Sequence, residues 1–173
     1  MKINIKNIKT ILLDFDGVLT NNRVFINEDG YETVACNRAD GIAINAFKKL
    51  KINVIIVSSE KNKVVKARAK KLKIRCYSGV LNKKTKLGEL HTSGYIDLSK
   101  TLYVGNDLND YFAMKICKYS CCPSDSHKEI IKIASFKLST CGGGGVLREI
   151  AEKKLNINNN LIGLPDTQVM ITL

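Results

Sequence analysis

The sequence predicts an α/β fold in which a parallel sheet is flanked by helices, with a β-hairpin inserted near the start and no large cap domain. Three observations carry this expectation. Short apolar runs of strand length alternate with stretches of helical periodicity. The runs are continuously apolar rather than alternating, as in strands covered on both faces. Three of them end in polar turns, where an α/β sheet places its ligand crevice.

The elements follow in order. Residues 10–14 form a short buried run that ends in Asp14, and residues 23–35 break the alternation. There two strand-like pieces flank Asn27-Glu-Asp-Gly30, which reads as a hairpin. A helix is predicted over 41–50, then a β-branched strand over 52–58 ending in Ser58, Ser59 and Glu60. Helix 63–72, strand 74–77 and helix 84–91 come next. Strand 101–104 ends in Gly105, Asn106 and Asp107, with helix 110–115 behind it. Strand 119–122, helix 126–134, a weaker strand at 136–138 and a helix over 146–155 complete the series. Gly142–Gly145 form a turn before that last helix, of the kind that permits close approach of backbone to a ligand. The whole reads as one Rossmann-like domain over 1–157. The apolar tail, 158–173, is expected to dock on the body or on a neighbouring subunit.

The chain has 173 residues, 45% hydrophobic and 25% charged, enough for one self-sufficient core and unlike a disordered chain. No apolar run approaches the roughly 18 residues that span a bilayer. The first residues lack the apolar core of a signal peptide, so a cytoplasmic protein without membrane contact is expected. Lys and Arg exceed Asp and Glu by 28 to 16, a formal charge of +12. The densest basic cluster, Lys61 to Lys73, has the period of one amphipathic helix and no interleaved aromatic residue. A base-stacking surface needs such aromatics, so no nucleic-acid partner is expected. The six cysteines (36, 76, 117, 121, 122 and 141) contain no CxxC pair, which argues for free thiols rather than zinc or a redox motif.

The sharpest chemical signal is Asp14-Phe-Asp-Gly-Val-Leu-Thr20 at the end of the first strand. Two carboxylates converging where the backbone turns at Gly17 need a counter-ion, and Mg²⁺ with oxygen ligands suits them. Ser58 ends the second strand, where its hydroxyl can donate to a phosphoryl oxygen. Lys83 or its neighbour Lys84 follows the next run and can neutralise phosphate charge. Gly105–Asp110 supply further oxygen ligands. Each piece alone is a common helix cap or solvated loop; their order, each after a buried strand, is what points to phosphate chemistry.

With these residues in that order the chain resembles the haloacid dehalogenase phosphatase superfamily. The resemblance is closest to its capless branch of 3-deoxy-D-manno-octulosonate 8-phosphate phosphatases and nonulosonate 9-phosphate relatives. It rests on Asp14–Thr20, the hairpin, Asp40-Gly41, Arg68-Ala69, Lys83, Gly105–Asp110 and Gly142–Glu149. It covers residues 8–157. It implies that Asp14 attacks phosphorus to give an aspartyl-phosphate, while Asp16 protonates the leaving alkoxide and later deprotonates water. Mg²⁺ would be held by Asp14, Asp16 and Asn106, while Ser58 and Lys83 offset charge on the transferring group. Asp107 and Asp110 support the loop, Asp110 orienting Lys83 or loop backbone. Candidate substrate-binding residues are Thr20, Ser59, Glu60, Lys71 and Arg148. The expected substrate is a phosphorylated ulosonic acid, and the expected assembly a homotetramer in which hairpins and C-terminal segments complete neighbouring pockets.

Two departures from the branch matter. Its last motif mostly reads Gly-Asp-Asp, whereas position 106 here is Asn, which removes one negative charge from the metal site. Gly-Asn-Asp also resembles the phosphatase-like domain joined to acylneuraminate cytidylyltransferases, where the domain serves assembly more than catalysis. After the second strand the octulosonate enzymes have Thr-Gly-Arg, and this chain has Ser58, Ser59 and Glu60. An Arg there would clamp a carboxylate, whereas a Glu repels it. Glu60 with Lys71 therefore resembles the nonulosonate 9-phosphate enzymes, while the octulosonate 8-phosphate remains the alternative. A plain capping role at the next helix is the competing reading of Glu60.

Overall fold

A computed structural model describes residues 4–157; the expected docking of the tail falls outside them. In chain order the elements are β1 (Thr10–Leu13), β2 (Phe25–Ile26), β3 (Glu32–Thr33), α1 (Arg38–Lys49), β4 (Asn53–Val57) and α2 (Lys63–Leu72). They continue as β5 (Arg75–Tyr77), α3 (Lys83–Thr92), β6 (Thr101–Val104), α4 (Tyr111–Ile116), β7 (Tyr119–Cys122), α5 (Lys128–Ile133), β8 (Phe136–Lys137) and α6 (Val146–Glu149). The predicted last helix is shorter than expected, because the chain widens into a π turn over Ile150–Lys154.

Six strands form a parallel sheet in the order β5-β4-β1-β6-β7-β8. The chain winds from β1 outward through β4 and β5, then returns to lay β6 on the other side of β1. The strand order therefore reverses between β1 and β6, the switch point at which open α/β sheets bind ligands. Alternate side chains cover opposite faces. Ile11, Leu13, Val54, Ile56, Leu102 and Val104 pack under α1, α2 and α6, against Ile44, Phe47, Val65, Leu147 and Ile150. Leu12, Ile55, Val57 and Tyr103 pack on the opposite face with Leu87 and Leu90 of α3, Met114 of α4 and Ile130 of α5. Both faces are buried, as the continuously apolar runs require.

Three helix starts are set by asparagine. The side chains of Asn37, Asn62 and Asn82 accept the amides of Ala39, Val64 and Thr85 at 2.9, 3.1 and 3.0 Å. Each satisfies an amide that the first helical turn leaves unpaired. The hairpin is real but short: β2 and β3 pair antiparallel, with Asn27 Oδ1 accepting the Tyr31 amide at the turn. Val24, Phe25, Ile26 and Tyr31 lie exposed on it.

Candidate active site

Asp14 follows β1, Ser58 follows β4, Lys83 opens α3 after β5, and Asn106 follows β6. All four are buried, at the carboxyl ends of their strands. Lys83 is the centre of charge. Its Nζ lies 2.8 Å from Asp14 Oδ1 and 2.7 Å from Asp110 Oδ1. Burial pulls the Lys83 ammonium down, but the two carboxylates more than offset this and hold its pKa above the ordinary value. Burial, with the Asp110 charge, pushes the Asp14 carboxyl up to about 7, against the pull of Lys83.

Asp14 Oδ1 also accepts the amide of Phe15 at 2.7 Å, and Oδ2 takes no hydrogen bond from the described residues. Asp16 is half-buried, and its carboxyl is raised above the usual carboxylate value chiefly by desolvation. Thr20 Oγ1 donates to Asp16 Oδ1 at 3.3 Å and accepts the amides of Gly17 and Asn22, both at 3.2 Å. Thr20 is thus the brace of the turn that aims Asp16.

Asp110 is wholly buried and fully engaged: it takes Lys83 and the Tyr103 hydroxyl (2.8 Å) on Oδ1, and the Asn106 amide (2.9 Å) on Oδ2. Asp110 therefore orients both the lysine and the loop. Asp107 caps the following 3-10 turn and accepts the Leu108 amide at 2.7 Å. Ser58 Oγ accepts the amide of Glu60 at 3.0 Å, which fixes the hydroxyl at the strand end.

A cleft of about 330 Å³ is lined by Asp14, Asp16, Asn106, Asp107 and Asn109, among others, while Ser58 and Lys83 are not among its lining residues. Within it Asn106 Oδ1 is buried without a hydrogen-bond partner. An orphaned amide oxygen beside two carboxylates is the donor set of a hard divalent cation, so the residues present fit Mg²⁺. Among the described residues no group of three or more His, Cys, Asp and Glu side chains could hold a metal. Only the amide completes the set.

The remaining candidates lie further out. Ser59 Oγ accepts from Asn109 Nδ2 at 2.8 Å across the mouth of the cleft. Glu60 Oε1 accepts the amides of Lys61 and Asn62 at 2.6 and 2.8 Å, the capping use ahead of α2. Lys71 lines a separate cleft of about 890 Å³ with Arg38 and Arg68, between α1 and α2. Arg148 is paired with Glu152 on its own helical segment. Neither Lys71 nor Arg148 lines the Asp14 cleft. Sequence reasoning missed Tyr103, and it covers Asn109 only as part of the Gly105–Asp110 run, without its contact to Ser59. The signal for Tyr103 was a hydroxyl inside a fully apolar strand, which must find a partner when buried; the Asn109 contact left none.

The family profile of haloacid dehalogenase-like hydrolases matches residues 58–150. The chain is a haloacid dehalogenase-like hydrolase. The 3-deoxy-D-manno-octulosonate 8-phosphate phosphatase KdsC of Salmonella typhi is 32% identical to it over 148 residues, 85% of this chain and 79% of that protein. The enzyme of the same name from Moraxella catarrhalis, solved with magnesium, phosphate and KDO, superposes with a TM-score of 0.84. It is 30% identical and matches over 91% of each chain. The cobalt-bound phosphatase of Haemophilus influenzae gives 0.81 at 28% identity, over 87% of this chain and 89% of that one. These matches put the hydrolase in the capless, KdsC-like branch and make it a phosphoric monoester hydrolase.

Proposed function

We propose that this hydrolase is an Mg²⁺-dependent phosphatase of a phosphorylated 2-keto-3-deoxy sugar acid, working through a phosphorylated Asp14. The observation that carries the reading is the buried Asp14–Lys83–Asp110 triad set beside Asp16 and the orphaned oxygen of Asn106.

The chemistry follows from what each group can do. Asp14 Oδ2 attacks phosphorus as the ester P–O bond breaks, and the leaving alkoxide takes a proton from Asp16. Desolvation, by raising the Asp16 carboxyl, favours its holding that proton. A water molecule then attacks phosphorus, gives its proton to Asp16, and the bond to Asp14 breaks to release inorganic phosphate. Lys83, fixed by Asp110, keeps Asp14 in place and offsets charge on the phosphoryl oxygens, and Ser58 lies where it can donate to one of them. Held by Asp14, Asp16 and Asn106, the metal would add positive charge against the phosphoryl group.

For the substrate, Glu60 in place of an arginine favours a nonulosonate 9-phosphate, with Lys71 as its companion. The octulosonate 8-phosphate is the second reading, favoured by the names of the relatives. Asn106 favours one further alternative, a weakly active domain that serves assembly beside a cytidylyltransferase. The exposed apolar hairpin supports a homo-oligomer, with the tetramer of the family resemblance as the proposed state. Ser59, Glu60, Lys71 and Arg148 remain the proposed substrate contacts, the last two reaching a pocket only where a second subunit completes it. Thr20 is wholly buried and braces the Asp16 turn instead.

Phosphate release from a panel of 8- and 9-phosphorylated ulosonic acids, with and without Mg²⁺, tests the reading. Steady, Mg²⁺-dependent turnover that vanishes in Asp14→Asn with the fold retained is the expected result. Turnover by Asp14→Asn would refute the nucleophile, a preference for the octulosonate ester would refute the use of Glu60, and no turnover at all would favour the assembly role.

A further inference from the structure

The turn Gly142–Gly145 lies backbone to backbone against the loop that carries Asp16. A Cβ on Gly142 would sit 2.3 Å from the Gly17 carbonyl oxygen, and one on Gly143 would sit 2.6 Å from the Asn21 amide nitrogen. The Gly143 amide donates to the Val18 carbonyl at 3.0 Å. No side chain larger than hydrogen fits between the two segments, so the position of one constrains the other.

The turn is tied down from behind. Asn37 Nδ2 donates to the Gly143 carbonyl at 3.3 Å, and the Gly142 amide donates to Asp125 Oδ1 at 2.9 Å. The firmest tie is Asp40, which has no exposed surface and accepts the Leu147 amide on Oδ1 at 2.9 Å. Its Oδ2 is buried with no hydrogen-bond partner, and no described residue forms an ion pair with it. A carboxylate held this way is an expensive means of capping a four-residue helix. The Leu147 amide of α6 and the charge of Arg68 relieve part of that cost. Groups kept against local stability are expected where the geometry serves function.

We propose that Asp40 is a positioning residue for phosphoryl transfer. It fixes the amino end of α6, which presses the glycine turn onto Gly17–Asn21, and Thr20 passes that placement to the Asp16 carboxyl. This deepens the reading of Asp16 as general acid and rests on it.

Two aryl esters of nearly the same shape test it: p-nitrophenyl phosphate, whose leaving group departs unprotonated, and phenyl phosphate, whose leaving group needs the acid. A displaced Asp16 costs the second reaction more than the first, whereas a smaller folded fraction costs both alike. In Asp40→Ala, kcat/KM for phenyl phosphate should fall about tenfold further than kcat/KM for p-nitrophenyl phosphate. The quantity kcat/KM reports only the steps up to loss of the phenol, and so excludes the later use of Asp16 as base. Asp40→Asn, which retains an oxygen for the Leu147 amide, should restore the ratio. Gly143→Ala pushes on the same loop without touching Asp40, should show the same selective loss, and carries the test if Asp40→Ala does not fold. Asp16→Asn separates the two levels. If it is selective and both other variants lose equally on the two esters, the role of Asp40 is refuted and the acid stands. Equal losses of kcat/KM in Asp16→Asn refute the acid, and the role of Asp40 with it.

Discussion

Replacing Lys83 by Met removes the one cation that bridges Asp14 and Asp110 while nearly preserving side-chain volume. The side chains of Lys83 and Asp110 are essentially without exposure and that of Asp14 is 6% exposed, so solvent screens little of the loss. Breaking a buried pair from one side typically costs about 3–5 kcal/mol, because an uncompensated charge remains in the interior. Here two remain, facing each other. The cost should depend on pH. Asp14 already holds its proton up to about 7, far above the unfolded value, and without Lys83 it is pushed further up. The folded variant then binds a proton that the unfolded chain has released, so its stability falls as pH rises. The deficit should be smallest below about pH 7, where Asp14 is protonated with or without Lys83. It should grow above about pH 7, where Asp14 ionises in the wild type but is held protonated in the variant, so about pH 6 and about pH 9 bracket it. Urea unfolding in the presence of a chelator, followed by far-UV circular dichroism because the chain has no Trp, measures both ends. A deficit below about 1 kcal/mol, the scale of an exposed pair, would refute the description of this lysine as the electrostatic centre of the site. So would a deficit equal at the two pH values.

Other expectations bear on the same site. Asn106→Asp adds a charge to the donor set, so the Mg²⁺ concentration giving half-maximal phosphate release should fall by about tenfold; an unchanged requirement would remove residue 106 from the metal site. Gly17 has φ +72°, and a Cβ there would lie 1.9 Å from Asn106 Nδ2. Gly17→Ala should therefore lower turnover by about a hundredfold, read as initial rate against folded protein measured by circular dichroism. The thiols of Cys117, Cys121 and Cys122 are buried, and burial pushes the Cys117 pKa up to about 12. An aromatic disulfide reagent should react with exposed Cys141 well before these three, with peptide mapping to identify the site.

The strand ends were the most legible part of the molecule. A continuously apolar run followed by Asp14, Ser58 or Asn106 reads as a buried strand with a polar end; Asp14 and Asn106 line one cleft, whereas Ser58 is not among its lining residues. The start of α1 was harder to read. Gly41 looks like a boundary, yet it lies inside the helix, which begins three residues earlier behind Asn37. A Cβ on Gly41 would meet Leu72 Cδ2 at 3.3 Å, so the glycine serves the approach of α1 to α2 rather than a helix end. Residues 146–155 keep a helical apolar pattern that predicts one continuous helix, because so few residues cannot distinguish α from π spacing. Contacts between distant segments were beyond reach. Asn109 meets Ser59, and Asp40 holds Leu147, through topology alone. The sequence leaves Glu60 between a cap and a specificity determinant, and the structure shows the capping contacts in place.

The central position of β1 has a consequence for how the protein is made. Thr10 pairs with Asn53 on one side and with Thr101 on the other, so the strand leading to Asp14 is synthesised before either neighbour and must wait for both. Pairings at such sequence separations close large loops and fold slowly. Until β6 arrives, Ile11, Leu12 and Leu13 have an open edge exposed to other chains, which is the hazard of unpaired apolar strands. A nascent chain stalled before Thr101 should therefore hold the nucleophile but not the site, and should be a better client for chaperones than the finished enzyme.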